Sequence, residues 1–376
     1  MNRIFLSPPY MGGGEQKYIS EAFESNWIAP LGPNVTAFER EVSELLSVPY
    51  PLALSSGTAA IHLALKYLGV GQGDIVLCSS FTFIGSCGAA AFEKAGLAFV
   101  DSEPETWNMS PRALEKALAY YDGIGKRPKA VIVVDLYGQS ADWDGLLPVC
   151  ARYGVPVIED AAEALGASYK GRMCGSFGDV GALSFNGNKL VTTSGGGMTL
   201  CHTKEQYDRL LFWATQAKEP LPHYEHREIG YNYRLSNICA GIGRGQLEIL
   251  PEKLRRRKAI FERYKAAFEG TPVRVMPVSD QGIPNCWLTA VTLDDSAGVT
   301  PAEICGHMNT LNIETRPAWK PMHAQPVFAD CKAFPHNDDG SFFCETVFAH
   351  GLCLPSGDAL TTEQQDMVVS EITRII

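Results

Sequence analysis

From about residue 50 to residue 215, short apolar runs alternate with longer stretches whose apolar positions recur at helical spacing. DIVLCSS (74–80), LAFVD (97–101), KAVIVVDLYG (129–138), VPVIED (155–160), GALSF (181–185) and GMTLCH (197–202) read as strands. Several are apolar on successive positions, which predicts burial on both faces in a parallel or mixed sheet covered by helices. GTAAIHLALKYLGV (57–70) and SADWDGLLPVCARYG (140–154) read as covering helices, each closing near a glycine. Alternation of this kind builds an α/β domain.

Over 235–268 the pattern changes to a long, charge-rich helical tract broken by Pro251. Its RRRK run (255–258) sits beside glutamates and reads as a solvated helix face rather than a nucleic-acid patch. Beyond it, strand-like TAVTLD and helix-like PAEICGHMNTL mix in a smaller unit. The expected organisation is a large domain over 1–245 and a small C-terminal domain over 246–376, joined by the helix near 235–268.

Composition narrows the function more than the fold. A length of 376 residues suffices for two lobes with a large core. The net charge of −10 argues against nucleic acid or an anionic membrane as the main partner, while leaving room for a locally positive pocket. Eleven cysteines, scattered with no CxxC pair, predict free thiols in a reducing compartment, with no metal cluster and no disulfide frame. With no long apolar segment at the start or elsewhere, the expected location is cytoplasmic.

Three pieces of sequence fall at strand ends, where α/β folds bind ligands. SSGTAA (55–60) precedes a helix and offers its amides, with the hydroxyls of Ser56 and Thr58, to an anion. In VIEDAAEALGA (157–167), Asp160 ends an apolar strand and small residues follow. In GALSFNGNKLVTTSGGGM (181–198), Ser184 lies in the strand and Lys189 follows in a glycine-rich loop. That loop is no P-loop: its glycines are misplaced and Leu190 stands where a hydroxyl is required. A nicotinamide fingerprint is also missing, since no GxGxxG follows the first strand.

Taken in order, the pieces match the needs of pyridoxal 5'-phosphate (PLP): a lysine for the Schiff base, a carboxylate for the ring nitrogen and a phosphate nest. Phe83 in SSFTFIGS suits one ring face and Ala162 the other.

The segments FLSPPYMGG (5–13), SNWIAPLGP (25–33), SFNGNK (184–189), TTSGGGM (192–198), HYEHREIGYNYRLSN (223–237), ETRPAWKPMH (314–323) and LPSG (354–357) carry a closer likeness. Over nearly its whole length the chain resembles the sugar-nucleotide aminotransferases of the DegT/DnrJ/EryC1/StrS family, which are fold-type I PLP enzymes. Within that family it is similar to enzymes that aminate C4 of a UDP-4-keto-6-deoxy-N-acetylglucosamine on the way to UDP-N,N'-diacetylbacillosamine. The resemblance implies an α/β large domain with a mostly parallel, seven-stranded type of sheet, and a smaller α+β C-terminal domain.

The resemblance also assigns residues. Lys189 matches the Schiff-base lysine, Asp160 the pyridinium partner, Ser184, Gly57 and Thr58 the phosphate site, and Phe83 the stacking aromatic. Glu163 takes the position that bonds the ring hydroxyl, where many relatives have Gln or His. Asn232 matches an asparagine that reaches the phosphate of the neighbouring subunit, which implies a homodimer with shared active sites. For the UDP moiety the candidates are Arg316, Trp319 and His323, with Arg234 from the dimer partner. The amino donor is expected to be L-glutamate. Ser194-Gly195-Gly196-Gly197 and Gly187-Asn188 depart from the broader family in the direction of the acetylbacillosamine branch. A dTDP- or GDP-linked ketohexose, amination at C3, and a non-catalytic sugar-nucleotide sensor remain the alternatives. PLP-dependent sugar dehydration, where histidine replaces the lysine, is disfavoured by Lys189.

Overall fold

The computed structural model describes residues 2–376. Seven strands drawn from the first part of the chain lie side by side. Their order is Tyr50–Leu54, Gly197–Cys201, Val180–Ser184, Val157–Asp160, Ala130–Val134, Ile75–Ser79 and Gly96–Val100. From Val180–Ser184 to Gly96–Val100 neighbours run parallel, whereas Gly197–Cys201 is antiparallel to both strands beside it.

The apolar runs are buried on both faces, as their composition predicts. Val76, Cys78, Ile132 and Ile158 pack on one side with the helix Gly57–Tyr67. Leu77, Val131, Val133 and Val157 pack on the other with the helices Pro111–Gly123 and Trp143–Tyr153. Adjacent residues of one strand thus enter different cores, which is the period of two made physical.

The C-terminal part forms an antiparallel sheet in the order Val273–Val275, Thr289–Leu293, Gly351–Leu354 and Arg316–Pro317. The helices Pro301–Thr310 and Thr362–Ile375 cover it around Ile304, Met308, Val368 and Ile372. Two segments cross the expected boundary. Lys332–Phe334 adds an eighth strand to the large sheet, parallel to Gly96–Val100. Ile4, at the other end of the chain, bridges Ile313 and joins the core of the small sheet. Both segments are short, and nothing in a few apolar residues says which of two sheet edges they will meet.

The tract over 235–268 is two helices, Asn237–Glu248 and Leu250–Ala267, with Pro251 at the start of the second, where its missing N–H costs nothing. Here one expectation is corrected. Arg255 and Arg256 do lie toward solvent and pair with Glu252, but Arg257 is only 1% exposed and pairs with buried Asp358. A helix turns each successive residue by about 100°, so four basic residues in a row cannot all share one face. Among the described residues no helix is long and apolar enough to cross a membrane. The eleven cysteines are all free, and eight of them, including Cys78, Cys87 and Cys201, are buried.

Candidate active site

The C-terminal ends of the parallel strands, with the loops that follow them, open on a cleft of about 370 Å³. Lys189 reaches it from a tight turn closed by its own amide on the Asn186 carbonyl, at 3.0 Å. The indole Nε1 of Trp287 donates to the Asn188 carbonyl at 2.8 Å, fixing the residue just before the lysine. The Lys189 amine then stands 4.0 Å from the Trp287 ring centre and 3.4 Å from Glu163 Oε1. A cation over an indole face is favourable, so the ring orients the amine as well as walling it in.

Asp160 ends its strand 3% exposed, accepting from Ser86 Oγ at 2.6 Å and from the Ala162 amide at 3.1 Å. Burial pushes its carboxyl up, while those two donors and the Lys189 charge draw it back toward the ionised form. Glu163, also buried at 6% exposure, is pushed up too. Burial lifts it to about 7, against the Lys189 charge and a 2.7 Å hydrogen bond from the Tyr137 amide. Tyr137 itself has φ of +51°, rare for a bulky residue, and its hydroxyl accepts from the Trp319 amide at 3.1 Å. Bonds at both ends of Tyr137 hold that conformation.

The far end of the cleft is built for an anion. Ser56 caps the Gly57–Tyr67 helix through the Ala59 amide at 3.0 Å, and the Gly57 and Thr58 amides find no backbone partner among the described residues. Two or more free amides at a helix N-terminus are a site for phosphate. Ser184 closes the approach, since a Cβ on Gly57 would lie 3.1 Å from the Ser184 Cβ. Opposite, a Cβ on Gly197 would lie 2.2 Å from the Ser56 carbonyl carbon, so only glycine lets the two loops meet.

Phe83 lies 62% exposed at the mouth, and Ala162 lines the wall with Glu163. Trp319 also lines the cleft, with its ring 6.1 Å from that of Phe83 and 4.9 Å from that of Tyr137. Ser56, Gly57, Thr58, Phe83, Asp160, Ala162, Glu163, Ser184, Lys189 and Trp319 therefore come together in one place.

Four candidates lie outside this cleft, two of which, Arg234 and Asn232, are expected to act from a neighbouring subunit. Arg234 is buried within its own chain, with Nη1 2.8 Å from Glu39 and 2.9 Å from the Ala53 carbonyl. The Leu54–Arg234 β-bridge draws it inward, which corrects its assignment to a UDP group across an interface. His323 is corrected too: its ring is held between Ser80 Oγ at 2.6 Å and Glu345 at 3.1 Å, stacked on Phe342. Arg316 is exposed and pairs with Glu314 two residues away. Asn232 is exposed outside the cleft of its own chain, bridged through its backbone to Thr215.

Reading the sequence missed Ser86, Tyr137 and Trp287. Ser86 carried a faint signal, being one helical turn beyond Phe83. Trp287 lies about a hundred residues from Lys189, and no local pattern joins them. The buried trio Asp135, Glu159 and Cys174 also escaped notice. Its Glu159 oxygens are taken by the Gly175, Phe177 and Gly178 amides, so it reads as structural.

PLP fits these residues on the chemistry of the donors. A buried carboxylate aimed into the cleft calls for a protonated ring nitrogen, the bare helix N-terminus calls for a dianion, and an amine stands between them. Comparison with known proteins agrees. The DegT/DnrJ/EryC1/StrS aminotransferase family matches residues 9–373. EpsN of Bacillus subtilis (strain 168), described as a pyridoxal phosphate-dependent aminotransferase, is 52% identical over 374 residues, 99% of this chain and 96% of that one. The GDP-perosamine synthase of Caulobacter vibrioides is 34% identical over 376 residues, 100% of this chain and 98% of that one. Among solved structures, a DegT/DnrJ/EryC1/StrS aminotransferase from Brucella abortus superposes with a TM-score of 0.88 at 29% identity, covering 96% of this chain and 94% of that one. Cleft, fold and likeness lead to the same place: the chain belongs to the DegT/DnrJ/EryC1/StrS aminotransferase family and is a PLP-dependent sugar aminotransferase.

Proposed function

We propose that the enzyme moves the amino group of L-glutamate to C4 of UDP-2-acetamido-2,6-dideoxy-4-keto-hexose, giving the UDP-4-amino precursor of UDP-N,N'-diacetylbacillosamine. The observation that carries a transamination is the meeting of Lys189, Asp160 and Glu163 in a cleft whose far end suits a phosphate. The acetamido sugar is supported by Gly195, which lines the cleft and has open space where a side chain would stand. A GDP-linked keto sugar is the second reading, favoured by the likeness to GDP-perosamine synthases of Caulobacter vibrioides and Escherichia coli O157:H7, at 34% and 35% identity.

Bound PLP supplies an electron sink for the pair left when the donor Cα–H bond breaks. The chain supplies everything else. Ser56, Gly57, Thr58 and Ser184 would hold the phosphate, and Asp160, drawn toward its ionised form by Ser86 and Ala162 against burial, would hold the ring nitrogen in its protonated form. Lys189 Nζ, as a neutral amine, would take the α-proton of glutamate, whose amino group would stay with the cofactor while water supplied the keto oxygen of the departing 2-oxoglutarate. In the second half the same nitrogen returns a proton to the carbon that becomes the amine-bearing C4. Glu163, at 3.4 Å and lifted to about 7, sits where it can share a proton with that amine. Phe83 and Trp319 wall the mouth against water.

The working form is proposed to be a homodimer in the cytoplasm, with Asn232 of the partner subunit reaching the phosphate. Exposed Trp27, Leu31, Tyr224 and Ile229 support this, at 50%, 60%, 81% and 79%. Such apolar side chains need covering. The deciding test loads the protein with PLP and adds L-glutamate with either the UDP- or the GDP-linked 4-keto sugar, reading products by mass spectrometry. The UDP reading expects a 4-amino product from the UDP sugar at least about tenfold faster. Turnover of the GDP sugar alone would replace it with the second reading.

A further inference from the structure

Behind the cleft, two buried cations of the helix Leu250–Ala267 converge on the loop that carries Lys189. Lys253 is 1% exposed, and its Nζ donates to the Leu190 carbonyl at 2.8 Å and to Gln246 Oε1 at 2.5 Å. Gln246, fully buried, passes the bond on to Glu15 and to the Tyr10 carbonyl. Arg257, one turn along the same face and also 1% exposed, grips Asp358 through two bonds of 3.0 and 2.9 Å. Its Nη1 donates to Ser7 Oγ at 3.1 Å and to the Trp287 carbonyl at 2.7 Å. Ser7 Oγ in turn donates to the Asn188 carbonyl at 3.2 Å.

Asn188 and Leu190 are the residues on either side of Lys189, and each carbonyl is held by one of these chains. A lysine on a four-carbon arm places its amine only as well as its backbone is placed. We propose that Lys253 and Arg257 are positioning residues for the transamination, clamping the backbone before and after Lys189, Arg257 through Ser7 and Trp287. Burying a cation here is costly: burial pulls the Lys253 amine down to about 8, against the attraction of Asp358 and Glu15 and with the repulsion of Arg257. An apolar side chain would fill that space more cheaply unless the carbonyl contact mattered.

The inference rests on Lys189 being the amine that binds the cofactor. That is checked first, by borohydride reduction of the wild-type holoprotein and peptide mapping; a label on another lysine would sink that reading without any variant being made. The test proper compares Lys253→Met and Ser7→Ala with wild type, and uses exposed Lys258→Met on the same helix as control. The clamp predicts that both variants take up PLP, yet the pH midpoint of the cofactor's visible band moves by about half a unit or more. It also predicts kcat at least about tenfold lower, with KM for glutamate changed by less than about threefold, since a misplaced amine harms chemistry more than binding. Lys258→Met should match wild type in all three readings. If Lys253→Met does not fold, Ser7→Ala decides, because it removes one hydroxyl and leaves the Arg257–Asp358 pair intact. A folded, PLP-loaded Ser7→Ala or Lys253→Met protein with the wild-type midpoint and kcat overturns the proposal.

Discussion

Lys189 and Glu163 face each other at 3.4 Å on the wall of the cleft, and their chemistry can be tested one side chain at a time. Lys189→Ala removes the base and should lower turnover by at least about a thousandfold, measured by 2-oxoglutarate release. Asp160→Asn should keep the shape of the site and lose the charge that holds the ring nitrogen protonated. A drop of roughly a hundredfold or more in kcat, with PLP still bound, is the expected result. Glu163 gives a pH prediction. Its folded value of about 7 lies above the usual 4.5, so the folded apoprotein keeps a proton there that the unfolded chain has lost. Relative to Glu163→Gln, wild-type stability is therefore greatest below pH 4.5 and falls as pH rises to 7, by on the order of 3 kcal/mol. Urea unfolding of both apoproteins across that range reads it out, and a flat difference would mean that Glu163 is not held neutral. Lys189, Asp160 and Ser184 were legible in the sequence because each ends or follows an apolar strand. Ser86 carried only its nearness to Phe83, and Tyr137, at positive φ, carried no local mark of the carboxylate it serves.

The elements work as a frame that brings strand ends together. Ser56 at the tip of the Tyr50–Leu54 strand meets Gly197 at the start of its antiparallel neighbour, and the space between them admits no Cβ. Gly197→Ala should force the Ser56–Gly57 backbone away, costing about 1–3 kcal/mol and weakening PLP binding more than glutamate binding. Equilibrium dialysis of PLP against the variant checks this. Helix and strand positions were readable because periods of two and 3.6 write themselves into hydrophobicity. Small errors at the ends follow from the same cause. The helix read as 57–70 closes at Tyr67: Leu68 is its cap, the amide still bonded to the Ala64 carbonyl at 3.0 Å, and Gly69 turns the chain away at φ +71°. The RRRK run shows the limit more sharply: composition favoured a solvated face, and geometry turned Arg257 inward to Asp358.

At the scale of the molecule, the N-terminal segment, the two helices of the 235–268 tract and the Lys189 loop are tied by buried polar contacts. The Arg257–Asp358 pair is fully enclosed, at 1% and 0% side-chain exposure. Removing one partner strands the other charge, so Asp358→Asn should destabilise the protein by about 3–5 kcal/mol in denaturant unfolding. A loss under about 1 kcal/mol would mean that water reaches the site. The domain arrangement was only partly legible for a related reason. Ile4 and Lys332–Phe334 each pair across the expected division, and a sheet edge is chosen by proximity that exists only after folding.

By itself the sequence determined the α/β class, the strands whose ends carry Asp160, Ser184 and Lys189, and the cofactor these residues suit, because local hydrophobic period and residue chemistry are written in neighbouring letters. Tertiary structure alone decided that Trp287 covers the lysine, that Arg234 and His323 are spent on internal partners, and that Lys253 and Arg257 stand behind the Lys189 loop. These are contacts between residues from tens to more than two hundred positions apart. Their energy comes from desolvated polar groups finding partners, and which partners are in reach is known only once the chain has closed on itself.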